Sequence, residues 1–228
     1  MMMNDIPFLR KKMKNKLDPM RYEHTLSVSF TCMSLAMRYG YDLDKAELAG
    51  LLHDCAKRYD DATIIEKCQK AGLDLTDDEL QAPAVLHAKY GAWMAEHKYD
   101  ITDEDVLSAI RCHTTGKPQM TLLDQILYVA DYIEPRRYKA ANLDAMRSLA
   151  YINLEDALFE IMKSTLEYLN DKGCYVDSMT QKAYDYYISV RTKNNDSSNS
   201  GMYNAGQEES EEDHESVKRN DKNSRSRT

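Results

Sequence analysis

Apolar residues recur at helical spacing along most of the chain. Between Asp18-Pro19 and Gly40 they fall on one face, typical of an amphipathic helix. Asp18 is suited to cap the N-terminus of this helix and Pro19 to occupy its first position. We predict that the helix runs to Gly40. A second helix is predicted to begin near Asp44, where Glu47 gives a capping-box-like start.

The same spacing predicts further helices over most of the remaining chain. Thr102 with Asp105 marks the start of one of them, and Pro135 stops another. The stretch from Thr114 to Pro118 is rich in helix breakers and is predicted to be a loop. The predicted segments are Asp61–Ala71, Pro83–Tyr99, Asp103–His113, Leu122–Ile133, Leu154–Asn170 and Met179–Arg191.

Strands are not expected, because no segment alternates apolar and polar residues between turn signals. The predicted fold class is therefore all-α. From Asn194 onward the chain consists of Asn, Ser, Glu, Asp, Lys and Arg with almost no apolar residues. Such a composition cannot bury enough apolar surface to offset the entropy of ordering. We predict a folded domain over 1–193 and a disordered polar tail over 194–228.

Composition and charge restrict the classes of function. Of the 228 residues 43% are hydrophobic, enough for a sizeable core, and the formal net charge of −8 argues against binding to nucleic acid or anionic membranes. No apolar run approaches the length of a membrane span, and the N-terminus has no signal-peptide core. The five cysteines form no Cys-x-x-Cys pair and are odd in number, which favours reduced thiols and a cytoplasmic location.

Several histidines and aspartates lie inside the apolar helical pattern, where a polar side chain is unfavourable unless it has a partner. A single such histidine is usually a hydrogen-bonded core residue, and this suffices for His97. A whole set of imidazoles and carboxylates is better explained by a shared cation, and this mixture of ligands is typical of iron, manganese or zinc. The sequence thus predicts a metal-dependent hydrolase. The residues concerned are His24, His53, Asp54, His87, His113 and Asp131.

The segments around these residues resemble the YqeK family of HD-domain symmetrical dinucleoside tetraphosphatases, from roughly Asp5 to Arg191. Two other HD branches fit less well. The guanosine-tetraphosphate hydrolases carry an acidic pair where this chain has Ala56-Lys57, and the cyclic-di-GMP branch has a Gly-Tyr-Pro motif that this chain lacks. The segments that carry the resemblance are Arg21-Tyr22-Glu23-His24, Leu51-Leu52-His53-Asp54-Cys55-Ala56-Lys57, Leu86-His87-Ala88-Lys89-Tyr90-Gly91-Ala92, Ala109-Ile110-Arg111-Cys112-His113-Thr114-Thr115-Gly116 and Tyr128-Val129-Ala130-Asp131-Tyr132-Ile133-Glu134-Pro135-Arg136-Arg137.

The resemblance implies an HD-type helical bundle with a metal at its centre, and it implies a role for each site residue. The metal ligands would be His24, His53, Asp54 and Asp131; the catalytic residues Asp54, His87 and His113; and the substrate-binding residues Arg21, Asp54, His87, His113, Asp131, Arg137, Cys174, Tyr175, Val176, Asp177, Ser178 and Met179. To the catalytic residues we add Lys57 as a clamp on the polyphosphate, although a lysine in the last turn of a helix is ordinarily a solvated residue. His87 and His113 would face the phosphates or a second metal. The segment from Cys174 to Met179 would close over the nucleoside.

The resemblance also implies iron, as one or two ions, with manganese as the alternative. The substrate would be diadenosine tetraphosphate or a related dinucleoside polyphosphate, cut at its centre to give two ADP. The partners are therefore small molecules, and a homodimer is compatible with this prediction. Two alternatives stay open: another HD nucleotide phosphohydrolase or phosphodiesterase, and a non-catalytic sensor that binds ADP.

Overall fold

A computed structural model of the protein describes the backbone of residues 5–205 and side chains as far as 193. Within this range the chain forms helices and no strand. A single 3₁₀ turn over Pro83–Val85 leads into α6. The helices are α1 Ile6–Lys16, α2 Pro19–Tyr39, α3 Leu43–Leu52, α4 Asp61–Lys70, α5 Asp77–Gln81, α6 Leu86–Tyr99, α7 Glu104–Cys112, α8 Leu122–Ile133, α9 Leu143–Ile152, α10 Leu154–Asp171 and α11 Ser178–Ala205. The predicted all-α fold is confirmed.

The core is centred on α8, which packs against α2, α3, α7, α9 and α10. Most of α8 is buried, including Leu123, Ile126 and Leu127. A helix that is apolar on nearly all sides needs partners around it, and these five helices provide them. Around this centre, α2 packs on α3 and α6 on α7.

Gly50 of α3 allows an unusually close approach to α2. A Cβ atom at this position would lie 2.6 Å from the Cα atom of Ser29. The Ser29 hydroxyl also donates a hydrogen bond to the Glu47 carbonyl (3.0 Å), which joins the Ser29 side chain to the backbone of α3. This contact holds the C-terminal end of α3, and the residues that follow it, against α2.

Most predicted helices are present, but two predicted starts are wrong. Helix α3 is capped by Asp42, whose side chain accepts from the Lys45 amide, and not by Asp44. Helix α7 is capped by Asp103 and not by Thr102. Both corrections have one physical cause: several adjacent residues could cap either helix, and the one in extended conformation just before the first turn does so. The short helices α1, α5 and α9 were not predicted.

Contacts divide the chain into a unit that ends at Tyr186 and a second that begins at Tyr187. All predicted site residues belong to the first unit. The second contains the remainder of α11, whose helical backbone continues to Ala205 and so enters the segment predicted to be disordered. Residues 206–228 of that predicted tail lie outside the described residues, and the domain boundary stays a prediction. No described helix is both long and apolar enough to cross a bilayer.

Candidate metal centre

Five helices bring the predicted ligands to one place. His24 lies in the second turn of α2, and His53 and Asp54 directly follow α3. His87 lies in the first turn of α6, His113 directly follows α7, and Asp131 is in the last turn of α8. Side chains at or near helix ends can converge without breaking the apolar packing between the helices. The structure therefore gathers these six predicted residues into one cluster.

Each histidine of the cluster is held through its Nδ1 atom. In three of them Nδ1 lies close to the carbonyl oxygen three residues earlier: His53 to Gly50 (2.7 Å), His87 to Ala84 (2.6 Å) and His113 to Ile110 (2.7 Å). Since a carbonyl can only accept, the Nδ1 atoms of His53 and His113 carry the proton and donate it. Their Nε2 lone pairs then face the centre of the cluster, which is the arrangement that metal-binding histidines require. The Nδ1 atom of His87 also lies 3.0 Å from the Lys57 Nζ atom.

His24 differs, because its Nδ1 lies 3.1 Å from Glu134 Oε1 and not near a carbonyl. Glu134 is 2% exposed, and its other oxygen accepts from the Arg136 amide (2.6 Å). A carboxylate behind a histidine makes the imidazole a stronger ligand and fixes its orientation. Glu134 was not predicted as a site residue.

On one side of the cluster, which we call the His24 face, His24, His53 and Asp131 meet Asp54 Oδ2. The His24 Nε2 atom lies 3.1 Å from Asp131 Oδ1, and the His53 Nε2 atom 3.5 Å from Asp54 Oδ2. Both Nε2 atoms are buried and have no hydrogen-bond partner among the described residues. Ligand atoms of His24, His53 and Asp131 lie within 4.8 Å of one another. Unpartnered buried nitrogens beside carboxylate oxygens fit a divalent cation.

On the other side, which we call the His87 face, His87 and His113 meet Asp54 Oδ1. Their Nε2 atoms lie 3.3 Å and 3.7 Å from this oxygen and 3.2 Å from each other. The Thr114 hydroxyl is 3.3 Å from both nitrogens and was not predicted as a site residue. Asp54 thus contributes one carboxylate oxygen to each face.

The pKa shifts describe the charges at the His24 face. Burial alone lowers the pKa of His24, but the carboxylates of Asp131, Glu134 and Asp54 together outweigh this effect and raise it. Burial lowers the pKa of His53 to about 4, so this imidazole is neutral, as a ligand must be. Burial opposes ionisation of Asp54, but the surrounding histidines, His53 first, lower its pKa well below the ordinary value. The site combines neutral imidazole with ionised carboxylate.

Positive side chains line the cavity at this cluster, which has a volume of about 240 Å³. The Arg21 Nη1 atom lies 2.7 Å from Asp54 Oδ2, and the Arg137 Nη2 atom 2.8 Å from Asp131 Oδ1. Lys57 is half-buried with its Nζ atom 3.0 Å from His87 Nδ1. Burial is the largest influence on the Lys57 pKa and lowers it. The structure therefore places all three predicted cations at the cavity.

The remaining predicted residues lie elsewhere. The segment from Cys174 to Met179 precedes and begins α11; there Tyr175 donates a hydrogen bond to Asp78, and Asp177 accepts from the Met179 amide (2.8 Å). This segment does not line the cavity at the cluster. That it closes over the nucleoside stays a prediction. His97 stacks on Trp93, outside the cluster.

The chain is similar in sequence to known proteins. The HD domain model matches residues 21–136. The chain is 39% identical over 179 residues to a symmetrical bis(5'-nucleosyl)-tetraphosphatase of Bacillus subtilis, covering 77% of this chain and 94% of that protein. It is 40% identical over 177 residues to the enzyme of the same name from Staphylococcus aureus, covering 76% and 90%.

A solved structure is similar as well. The crystal structure of a protein from Clostridium acetobutylicum, described as a predicted HD superfamily hydrolase involved in NAD metabolism, matches with a TM-score of 0.78 and 40% identity. The match covers 81% of this chain and 97% of that one.

Proposed function

Because the chain belongs to the HD-domain family and, within it, to the symmetrical bis(5'-nucleosyl)-tetraphosphatases, we propose that it hydrolyses diadenosine tetraphosphate to two ADP. The relatives are matched over nearly their whole length, so the similarity includes the site. The observation that carries the proposal is the cluster of four histidines and two aspartates, of which two histidines and both aspartates line a cavity together with three cationic side chains. A polyphosphate needs these two features, a cation site and a positive rim.

The residues of the His24 face, together with Asp54, would hold a divalent cation. The bound cation would supply Lewis acidity to water and to the phosphoryl oxygens. We further propose iron for this cation, with manganese as the alternative, because imidazole and carboxylate ligands suit both ions. A second ion would bind at the His87 face, where the Nε2 atoms of His87 and His113 lie 3.2 Å apart.

The chain's own side chains bind and orient the reacting groups. Arg21 and Arg137 hold the negatively charged phosphate oxygens at the mouth of the cavity, and Lys57 adds a third positive charge beside His87. Asp54 stays ionised and accepts a hydrogen bond from the attacking water. Its two oxygens contact both faces, so it positions that water between the cation site and the phosphates.

Hydrolysis joins the water oxygen to one of the two central phosphorus atoms. The bond from that phosphorus to the bridging oxygen breaks, and ADP leaves with the bridging oxygen. The water supplies the hydroxyl of the other ADP and one proton. Cleavage at the centre follows from where the phosphates are held relative to the cluster, and it needs no different bond chemistry.

The test is product analysis with the full chain, purified without oxygen and assayed for bound metal. Two ADP per diadenosine tetraphosphate is the expected result; ATP with AMP, or no ADP from metal-loaded protein, contradicts the proposal. Asp54→Ala should abolish turnover while the protein keeps its helical content. The matched control is His97→Ala, because His97 lies outside the cluster with its side chain 48% exposed, and it should turn over normally. Tight ADP binding without turnover would favour a sensor.

A further inference from the structure

The C-terminal end of α8 carries three residues on which the proposed reaction depends. Asp131 lies in the last turn of α8, Glu134 stands behind His24, and Arg137 contacts Asp131. All three side chains extend from one short stretch of backbone, residues 131–137, which we call the site turn. Cation binding and phosphate binding therefore both depend on how firmly this backbone is held.

The site turn needs hydrogen-bond donors from side chains. The last carbonyls of a helix have no amide partner within that helix. Pro135 has no N–H and cannot donate to the Asp131 carbonyl; the Arg137 Nε atom does so instead (3.0 Å). The carbonyl oxygens of Ile133, Glu134 and Arg137 accept from a side chain of another helix.

That side chain is Arg147 of α9. Its Nε atom donates to the Ile133 carbonyl (3.0 Å), and its Nη2 atom donates to the carbonyls of Glu134 (3.1 Å) and Arg137 (2.8 Å). Asp144 lies 3.5 Å from the Nη1 atom but is exposed, so this ion pair adds little. The guanidinium group of Arg147 thus joins three carbonyls of the site turn to α9.

Arginine is well suited to this position. Its guanidinium group is planar and holds five N–H donors in a fixed arrangement, whereas lysine has one ammonium group on a flexible chain. A positive charge is also favourable near the C-terminal end of a helix, where the carbonyl groups carry partial negative charge. Arg147 is half-buried, so its loss would leave three carbonyls of the site turn without this donor.

The His87 face is held by other parts of the chain. The His87 Nδ1 atom lies 2.6 Å from the Ala84 carbonyl, and the His113 Nδ1 atom donates to the Ile110 carbonyl (2.7 Å). None of these residues belongs to the site turn. A looser site turn should therefore affect the His24 face and Arg137, and spare the His87 face.

We propose that Arg147 is a positioning residue for the site. It holds the site turn so that Asp131 and Glu134 support the cation and Arg137 meets the phosphates. Arg147 does not line the cavity at the cluster and acts through these three residues. This inference rests on the proposed function, because it takes the roles of the three residues from that reaction.

The test is a competition titration of manganese(II) between the full chain and a chelator of known affinity. Arg147→Ala should lower manganese affinity by roughly tenfold, as loss of a group behind the metal ligands does. Arg147→Lys keeps the charge but cannot join three carbonyls, so it should not restore the affinity. At saturating manganese, KM of Arg147→Ala should rise by roughly tenfold, the size expected for one lost charge-assisted hydrogen bond of Arg137. The kcat value should change little.

A double variant separates positioning from a general loss of stability. Arg147→Ala combined with Glu134→Ala should lose less manganese affinity than the product of the two single losses, because one residue acts partly through the other. The matched control is Arg38→Ala. The Arg38 Nε atom also donates to a carbonyl of α9, that of Tyr151 (2.7 Å), but Arg38 has no contact with the site turn. This variant should keep wild-type manganese affinity and KM.

Wild-type manganese affinity in both Arg147→Ala and Arg147→Lys overturns the proposal, as does an equal loss in Arg38→Ala or a fully multiplicative loss in the double variant. Circular dichroism shows whether each variant is folded, and Arg147→Lys carries the test if Arg147→Ala is not. The titration is independent of the product assay. A chain that releases two ADP but keeps its manganese affinity in every variant retains the proposed function and loses this role of Arg147. A chain that makes ATP and AMP but loses manganese affinity in Arg147→Ala shows the reverse.

Discussion

The two faces of the cluster share Asp54 but differ in the charges around them. At the His24 face, Asp54 and Asp131 approach the two imidazoles, and Glu134 stands behind His24. At the His87 face, Asp54 is the only carboxylate within ion-pair distance of the histidines among the described residues. There the nearest charged neighbour beyond it is the Lys57 ammonium.

This difference indicates that the two faces bind groups of opposite charge. Several carboxylates around imidazole nitrogens favour a cation, and together the carboxylates of Asp131, Glu134 and Asp54 raise the pKa of His24 despite its burial. At the His87 face, the Lys57 ammonium and the Thr114 hydroxyl can each donate to an anionic oxygen. We therefore propose that the His24 face is the primary cation site and that the His87 face is directed at the phosphates.

The largest effect expected from this comparison is on metal content. Asp131→Ala removes a ligand of the His24 face and should lower metal affinity by more than about 100-fold, since loss of an outer partner alone typically costs about 10–100-fold. His113→Ala, on the His87 face, should keep the metal and instead lower kcat by roughly 100-fold, as loss of one stabilising group does. Metal analysis after dialysis, with steady-state kinetics on the same samples, separates the two. Equal loss of metal in both variants would mean that the faces are equivalent.

The sequence predicted the catalytic cluster better than its surroundings. Residues such as His53 and Asp54 stand out because they interrupt an apolar helical pattern, and such an interruption requires a compensating partner wherever it lies in the chain. The helices that carry them were predicted for the same reason, from long runs with one apolar face. Among these helices, the capping residues of α3 and α7 were wrong, because neighbouring residues compete to cap them.

The walls outside the cluster could not be predicted in this way. Helix α9, which packs against α8 and α10, was itself missed. Glu134 was missed because a glutamate next to Pro135 at a helix end has the pattern of a solvated residue; only the fold shows that it is buried behind His24. Thr114 was assigned to a breaker loop, and its hydroxyl reaches the histidines only because that loop begins at the cluster.

A smaller effect is expected when the support behind His24 is weakened. Glu134→Gln keeps an oxygen that can accept from His24 Nδ1 but removes the negative charge, so metal affinity should fall by roughly tenfold. Glu134→Ala removes the acceptor as well and should lower the affinity further. A competition titration against a chelator of known affinity measures both. The matched control is Glu23→Gln, because Glu23 lies one residue before His24 and pairs with Arg136 at the surface. Unchanged metal affinity in Glu134→Ala would show that Glu134 does not contribute to cation binding at the His24 face.

The smallest effect concerns the positive charge at the His87 face. Lys57→Met keeps the aliphatic chain but removes the ammonium group, which contacts His87 Nδ1 and forms no ion pair among the described residues. Because Lys57 is only half-buried and water screens its charge, KM should rise by roughly threefold to fivefold, with metal content unchanged. Lys98→Met, at an exposed lysine over the Trp93 ring, is the control and should leave KM as it is. Steady-state kinetics at low and at high salt would sharpen the comparison, since a charge contact with the substrate weakens as ionic strength rises. Loss of metal from Lys57→Met would instead place this lysine in the support of the cation site and would contradict the division between the two faces.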